Sequence, residues 1–129
     1  MALRMLRLVA PALLLAVLVA GAVLVRGGAA PREARARDGR VAITMDDFRF
    51  RPQVVRARRG ELTFILRNRG RLGHTFRVRR NGRLWIEEPS LRPGEARTVT
   101  HRLGAGDYRM FDALSNYEQL GMYGTLVVR

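Results

Sequence analysis

GELTFILRNRGRLGHTFRVRRNGRLW, residues 60–85, is the stretch that sets the backbone period of this chain. Leu62, Phe64 and Leu66 alternate with Thr63, Ile65 and Arg67, and Phe76 and Val78 alternate with Arg77 and Arg79. Successive side chains of a strand point to opposite faces, so a period of two predicts strands with one face turned to a core. Asn81-Gly82 is the best hairpin signal, because both residues tolerate the positive φ that a two-residue turn requires.

The same period runs outward in both directions. Val41, Ile43 and Met45 alternate with Ala42 and Thr44, and Phe48 and Phe50 alternate with arginines. Val99 and Leu103 share a face with His101, and Leu126 and Val128 close the chain. Arg59-Gly60, Arg69-Gly70, Pro93-Gly94 and Gly104-Ala105-Gly106 punctuate the runs. No stretch after residue 40 has the pattern of an amphipathic helix, and no internal repeat is visible. Short alternating runs separated by turn residues predict an all-β antiparallel sandwich over residues 41–129. Leu114 to Gly121, aperiodic and polar, reads as a loop that carries function.

The N-terminal part has a different character. Arg4 and Arg7 precede an apolar run from Leu8 to Val25, interrupted by Pro11 and Gly21 and followed by Arg26 and Ala29-Ala30-Pro31. A positive start, an apolar middle and small residues at the end are the layout of an export signal, cleavable after Ala30. A run of about 18 residues also reaches the lower edge of what spans a bilayer as a helix. Residues 1–30 are thus expected to form an apolar helix serving as signal peptide or membrane anchor. The domain that follows is then extracytoplasmic: periplasmic, cell-surface or secreted. Residues 31–40, PREARARDGR, read as a linker.

With 129 residues the chain has room for one small domain, and 47% hydrophobic content suits a globular one. The formal charge is +13, from 24 basic and 11 acidic residues, and every basic residue is arginine. Exclusion of lysine resembles the codon bias of a GC-rich genome more than a phosphate-binding surface. Together with export it speaks against nucleic-acid binding, although part of the charge can sit against anionic headgroups. The absence of cysteine excludes disulfides, thiolate metal sites, thiol catalysis and attachment through an acylated cysteine. There is no nucleophile elbow, no HExxH and no phosphate-cradling glycine loop, so the chain is not expected to be an enzyme.

Four pieces in order, DFRFRP at 47–52, LTFILRN at 62–68, GHTF at 73–76 and LRPGE at 91–95, precede GDYRMFDALSNYEQLGMYGTLVV at 106–128. Their order and spacing resemble the cupredoxins, the small copper-binding family that includes plastocyanin and azurin. The resemblance covers residues 41–129 and implies a Greek-key β-sandwich. It also implies a copper site made by a histidine, a cysteine, a second histidine and a methionine. His74 matches the first histidine and Met122 the methionine. Where the family carries its cysteine this chain has Asp112, and where a second histidine is common it has Tyr117.

A blue-copper centre depends on the copper–thiolate bond, which this chain lacks. His74, Asp112, Tyr117 and Met122 instead offer an imidazole, a carboxylate, a phenol and a thioether. Two outcomes follow. Either the set binds Cu(II) or another divalent metal weakly, or Asp112 and Tyr117 hydrogen-bond His74 and the pocket closes. The first makes the chain an accessory module with a degenerate copper site; the second makes it a metal-free interaction domain whose loops contact an unidentified partner protein. Of the other polar candidates, His101 reads as a core or rim histidine and Trp85 as packing. Asp46 and Asp47, adjacent in a strand, are expected to point apart rather than form a dyad.

Overall fold

A computed structural model describes residues 32–129, so the helix expected over residues 1–30 lies outside the described residues. Ten strands, numbered along the chain, form two sheets. The larger has the order β1 (Glu33–Arg35), β4 (Val54–Ala57), β10 (Tyr123–Val128), β9 (Gly106–Phe111), β6 (His74–Arg80) and β7 (Arg83–Leu91). The smaller has the order β3 (Arg49–Arg51), β2 (Arg40–Asp46), β5 (Gly60–Asn68) and β8 (Ala96–Leu103). Among the described residues no helix is long and apolar enough to cross a membrane.

The alternation seen in the sequence is the burial pattern of the strands. Leu62, Phe64 and Leu66 are buried, as are Phe76 and Val78 on the facing sheet. Phe76 reaches between the sheets: its ring lies 5.9 Å from Phe50 and 5.3 Å from Phe64, centroid to centroid. Burying aromatic area from both sheets in one cluster helps hold the layers face to face. Asn81 and Gly82 adopt φ of 49° and 73° and join β6 to β7, as the hairpin signal predicts.

Two features depart from the sequence expectation. The sheets are mixed, because β1 pairs β4, β4 pairs β10 and β2 pairs β5 in parallel. Parallel neighbours need a long crossover, and residues 47–59 between β2 and β5 supply one that carries β3 and β4. The stretch expected as a linker is also partly structured. Glu33–Arg35 forms β1, and Arg37 and Arg40 bridge across a turn. The edge of β4 offers unpaired backbone groups that a short charged strand can satisfy despite its polarity.

The sandwich has two unlike ends. At one, β2, β5 and β9 finish and β6 begins; at the other, Gly60 pairs Leu103, Val128 pairs Gly106, and Arg59 N–H donates to the Arg129 carbonyl at 2.8 Å.

A histidine–carboxylate knot at the candidate site

His74 opens β6 in the same phase as Phe76 and Val78, so its ring turns inward and has no exposed surface. Four segments meet around it: the turn after β2, the loop after β5, the start of β6 and the loop between β9 and β10.

The loop after β5 is held by Asn68, itself buried. Its amide donates to the carbonyls of Leu72 and Leu91 at 2.8 and 2.9 Å, and its Oδ1 accepts from Gly70 N–H at 2.9 Å. Every side-chain polar atom of Asn68 is thereby satisfied, which fixes the approach of the chain to His74. Gly70 packs so closely that a Cβ there would collide with Asp47 Oδ1 and lie 3.0 Å from His74 Nε2. Backbone without a side chain is what lets this loop cover the ring.

Both imidazole nitrogens face carboxylates. Nδ1 lies 2.8 Å from Asp112 Oδ2 and Nε2 lies 3.0 Å from Asp47 Oδ1. Asp112 is buried, and its other oxygen accepts from Thr75 Oγ1 at 2.6 Å, Leu114 N–H at 2.9 Å and Thr75 N–H at 3.2 Å. Asp47 accepts from the N–H groups of Arg71 and Leu72. Hydrogen bonds at both ring nitrogens, with a carboxylate accepting at each, require a proton on each nitrogen. The site is a buried histidine ring clamped between two carboxyl groups. The bond from His74, followed by the Arg71 amide, holds the Asp47 carboxyl below its ordinary value.

The β9–β10 loop is closed by its own backbone. Asp112 N–H donates to the Met122 carbonyl at 3.1 Å, and Met122 N–H donates to the Tyr117 carbonyl at 3.0 Å. Glu118 anchors the loop to β6 and β9 through Arg79 at 2.6 and 3.1 Å and Arg109 at 2.6 Å. Partial burial works against the Glu118 carboxylate, yet the two guanidiniums outweigh it and hold its pKa below the usual range.

Of the expected site residues, His74 and Asp112 touch directly. Tyr117 does not make the hydrogen bond to His74 that the closed pocket led one to expect, because carboxylates take both ring nitrogens; its ring packs instead, 5.6 Å from His74 and 5.1 Å from Phe48 between centroids. Met122 is fully buried at the base of the loop. Asp47 is the partner that sequence reasoning missed. It points away from Asp46, which pairs with Arg51 instead, but nothing local in DFRFRP indicates that it would reach His74. Thr75 was likewise missed, since its strand phase is outward; the turn after Asp112 covers it. His101 is a rim residue bonded to Glu88 at 3.2 Å. Trp85 packs edge-on against Tyr108 and keeps 39% of its surface exposed.

The model of the cupredoxin-like domain matches residues 13–128. The chain belongs to the cupredoxin-like domain family. No curated protein matches it in sequence. Among solved structures it is similar to auracyanin from Roseiflexus castenholzii, with a TM-score of 0.66 and 14% identity over 73% of this chain and 99% of that one. It is similar also to rusticyanin from Thiobacillus ferrooxidans, with a TM-score of 0.64 and 12% identity over 78% and 84%. The Cu-containing nitrite reductase of Thermus scotoductus aligns at a TM-score of 0.59 and 17% identity, over 76% of this chain and 28% of that one. At these identities the likeness is one of fold.

Copper fits these side chains poorly as they stand. There is no thiolate, both imidazole nitrogens are engaged, and three donors occupy Asp112 Oδ1. A ligand set must converge on an ion about 2.0–2.3 Å from each donor atom. Here the imidazole and the carboxylates converge on one another. Among the described residues, no group of three or more His, Asp or Glu side chains is arranged to hold a metal ion.

Proposed function

We propose that this cupredoxin-like domain is an extracytoplasmic, non-enzymatic interaction module in which a proton-filled histidine knot stands where copper-binding members hold their metal. One observation carries this: His74, wholly buried, lies within hydrogen-bond distance of a carboxylate at each ring nitrogen. The knot cross-links the turn after β2, the start of β6 and the β9–β10 loop, so it does for this end of the sandwich what a bound ion would do. Leu72 and Leu120, 39% and 51% exposed, stand on loops at the same end and offer apolar area to a partner protein. Export is supported by the N-terminal segment with its arginine start and apolar run.

A second reading has one observation in its favour. His74 Nδ1 and Asp112 Oδ2, 2.8 Å apart, are a nitrogen and an oxygen donor of the kind Cu(II) and Zn(II) accept, once a proton between them is displaced. Calorimetric titration of the full chain with Cu(II) and Zn(II), for wild type and His74→Ala, separates the two. A closed knot gives no saturable, His74-dependent heat at neutral pH, and 15N spectra show both His74 nitrogens protonated. Saturable binding that His74→Ala abolishes would overturn the closed knot and make the domain a weak metal binder.

A further inference from the structure

β1 and β2 leave the turn between them as a hairpin and then part. Asp38 and Gly39, with φ of 50° and 69°, form the two-residue turn. Across it Arg37 N–H donates to the Arg40 carbonyl at 3.0 Å, and Arg40 N–H donates to the Arg37 carbonyl at 2.8 Å. In an antiparallel ladder the next pair to exchange both bonds would be Arg35 and Ala42. It does not form, because β1 joins β4 in the larger sheet and β2 joins β5 in the smaller one.

Backbone alternation fixes where the groups of these two residues point. Val54 N–H donates to the Arg32 carbonyl and Ala36 N–H to the Arg56 carbonyl, so Arg32 and Ala36 face β4 while Arg35, like Arg37, faces away. Thr63 N–H donates to the Gly39 carbonyl and Arg69 N–H to the Met45 carbonyl, so Ala42, like Arg40, faces away from β5. β3 covers that edge of β2 only from Thr44 onward. Among the described residues the N–H and C=O of Arg35 and Ala42 are thus left without a backbone partner.

The fork between the strands is a groove of about 690 Å³, with Ala34 and Pro52 in its lining. Arg35, Arg37, Arg40 and Arg69 also line it, and Asp46, its one carboxylate, is held by Arg51 at 2.6 Å. Arg49, Arg67, Arg92 and Arg102 are exposed elsewhere, so charge alone selects no site. What selects this one is an open backbone donor and acceptor on each wall of a cationic groove. An extended chain completes such an edge, main-chain bonds giving affinity and alternate side chains giving specificity. We propose that the fork between β1 and β2 takes an extended acidic segment of a partner protein, paired through Arg35 and Ala42. The contact uses neither Leu72 nor Leu120 and depends neither on the knot nor on export, so its failure would leave the interaction-module reading intact.

The test titrates the full chain, in neutral detergent, with the peptide acetyl-Glu-Val-Glu-Val-Glu-amide and reads amide exchange and 15N spectra. Saturable binding is expected, with protection gained at the Arg35 and Ala42 amides. The same peptide N-methylated at every residue keeps its charge and loses its donors. It is expected to bind about tenfold more weakly, the worth of one or two hydrogen bonds. Arg35→Gln/Arg40→Gln is expected to weaken binding about two- to fivefold per arginine, and raised salt to weaken it further. Arg92→Gln/Arg102→Gln, outside the groove, is expected to leave binding unchanged. Equal loss in the two double variants, or equal binding of the methylated peptide, would reduce the effect to net charge and overturn the fork site. So would the absence of saturable binding, or protection centred on other strands. Protection of both amides without peptide would overturn it as well. If it rises with protein concentration, the occupant is a second copy; if it does not, the occupant is the chain's own segment before Arg32.

Discussion

Replacing Asp112 with asparagine keeps the shape of the knot and removes its charge. In the native site Oδ1 takes three donors, from Thr75 and Leu114, and Oδ2 lies 2.8 Å from His74 Nδ1, which donates to it in the proposed knot. In Asp112→Asn the amide oxygen keeps the first set, which turns the amide N–H groups toward Nδ1. Two donors then face each other unless the ring gives up that proton. The variant therefore exchanges a charge-assisted buried bond, about 1.5–3 kcal/mol, for a neutral one of about 1 kcal/mol, and weakens the three bonds to Oδ1. A net loss of about 2 kcal/mol is expected at neutral pH. For a domain of this size that corresponds to a fall in Tm of about 8–16 °C. Denaturant unfolding should show a lower midpoint at unchanged slope, and 15N spectra should show His74 Nδ1 converted from a protonated to an unprotonated nitrogen. A change of less than about 0.5 kcal/mol, the size of an ordinary surface substitution, would refute the clamped imidazolium. So would a wild-type His74 whose Nδ1 already lacks a proton.

Three further outcomes follow from the same geometry. Gly70→Ala places a methyl group on Asp47 Oδ1, so the carboxylate must swing off His74 Nε2; His74 hydrogen exchange should accelerate while the Asp112 bond persists. Phe76→Ala empties the cluster that joins the sheets and should cost about 3–5 kcal/mol in chemical unfolding; a smaller loss would mean that Phe50 and Phe64 collapse into the gap. The native Asp47 carboxyl is lowered below its unfolded value near 3.9, so its contribution is present above that pH and is lost as pH falls through the native value. Protection of the Arg71 and Leu72 amides, measured against their intrinsic exchange rates, should therefore fall in acid below about pH 4, and Asp47→Asn should remove that pH dependence.

The sandwich was legible because strand alternation is local. Leu62, Phe64 and Leu66 declare their shared face over a few residues, and Asn81-Gly82 declares its turn in two. The inward ring of His74 follows from the phase of Phe76 and Val78 in the same strand. By contrast, the charged residues of β1 carry the sequence pattern of a linker. Only the open edge of β4 makes strand geometry favourable there. The parallel pairing of β2 with β5 was invisible for a similar reason: periodicity orients side chains but does not choose neighbours.

Sequence alone thus determined the two-layer architecture, the buried histidine and the loss of the thiolate, since each depends on residue type and spacing along one segment. What His74 touches was decided only by the tertiary structure. Asp47 lies 27 positions before it and Asp112 lies 38 after it. No local pattern links three such residues; the mixed sheet order does, by ending β2 and β9 where β6 begins.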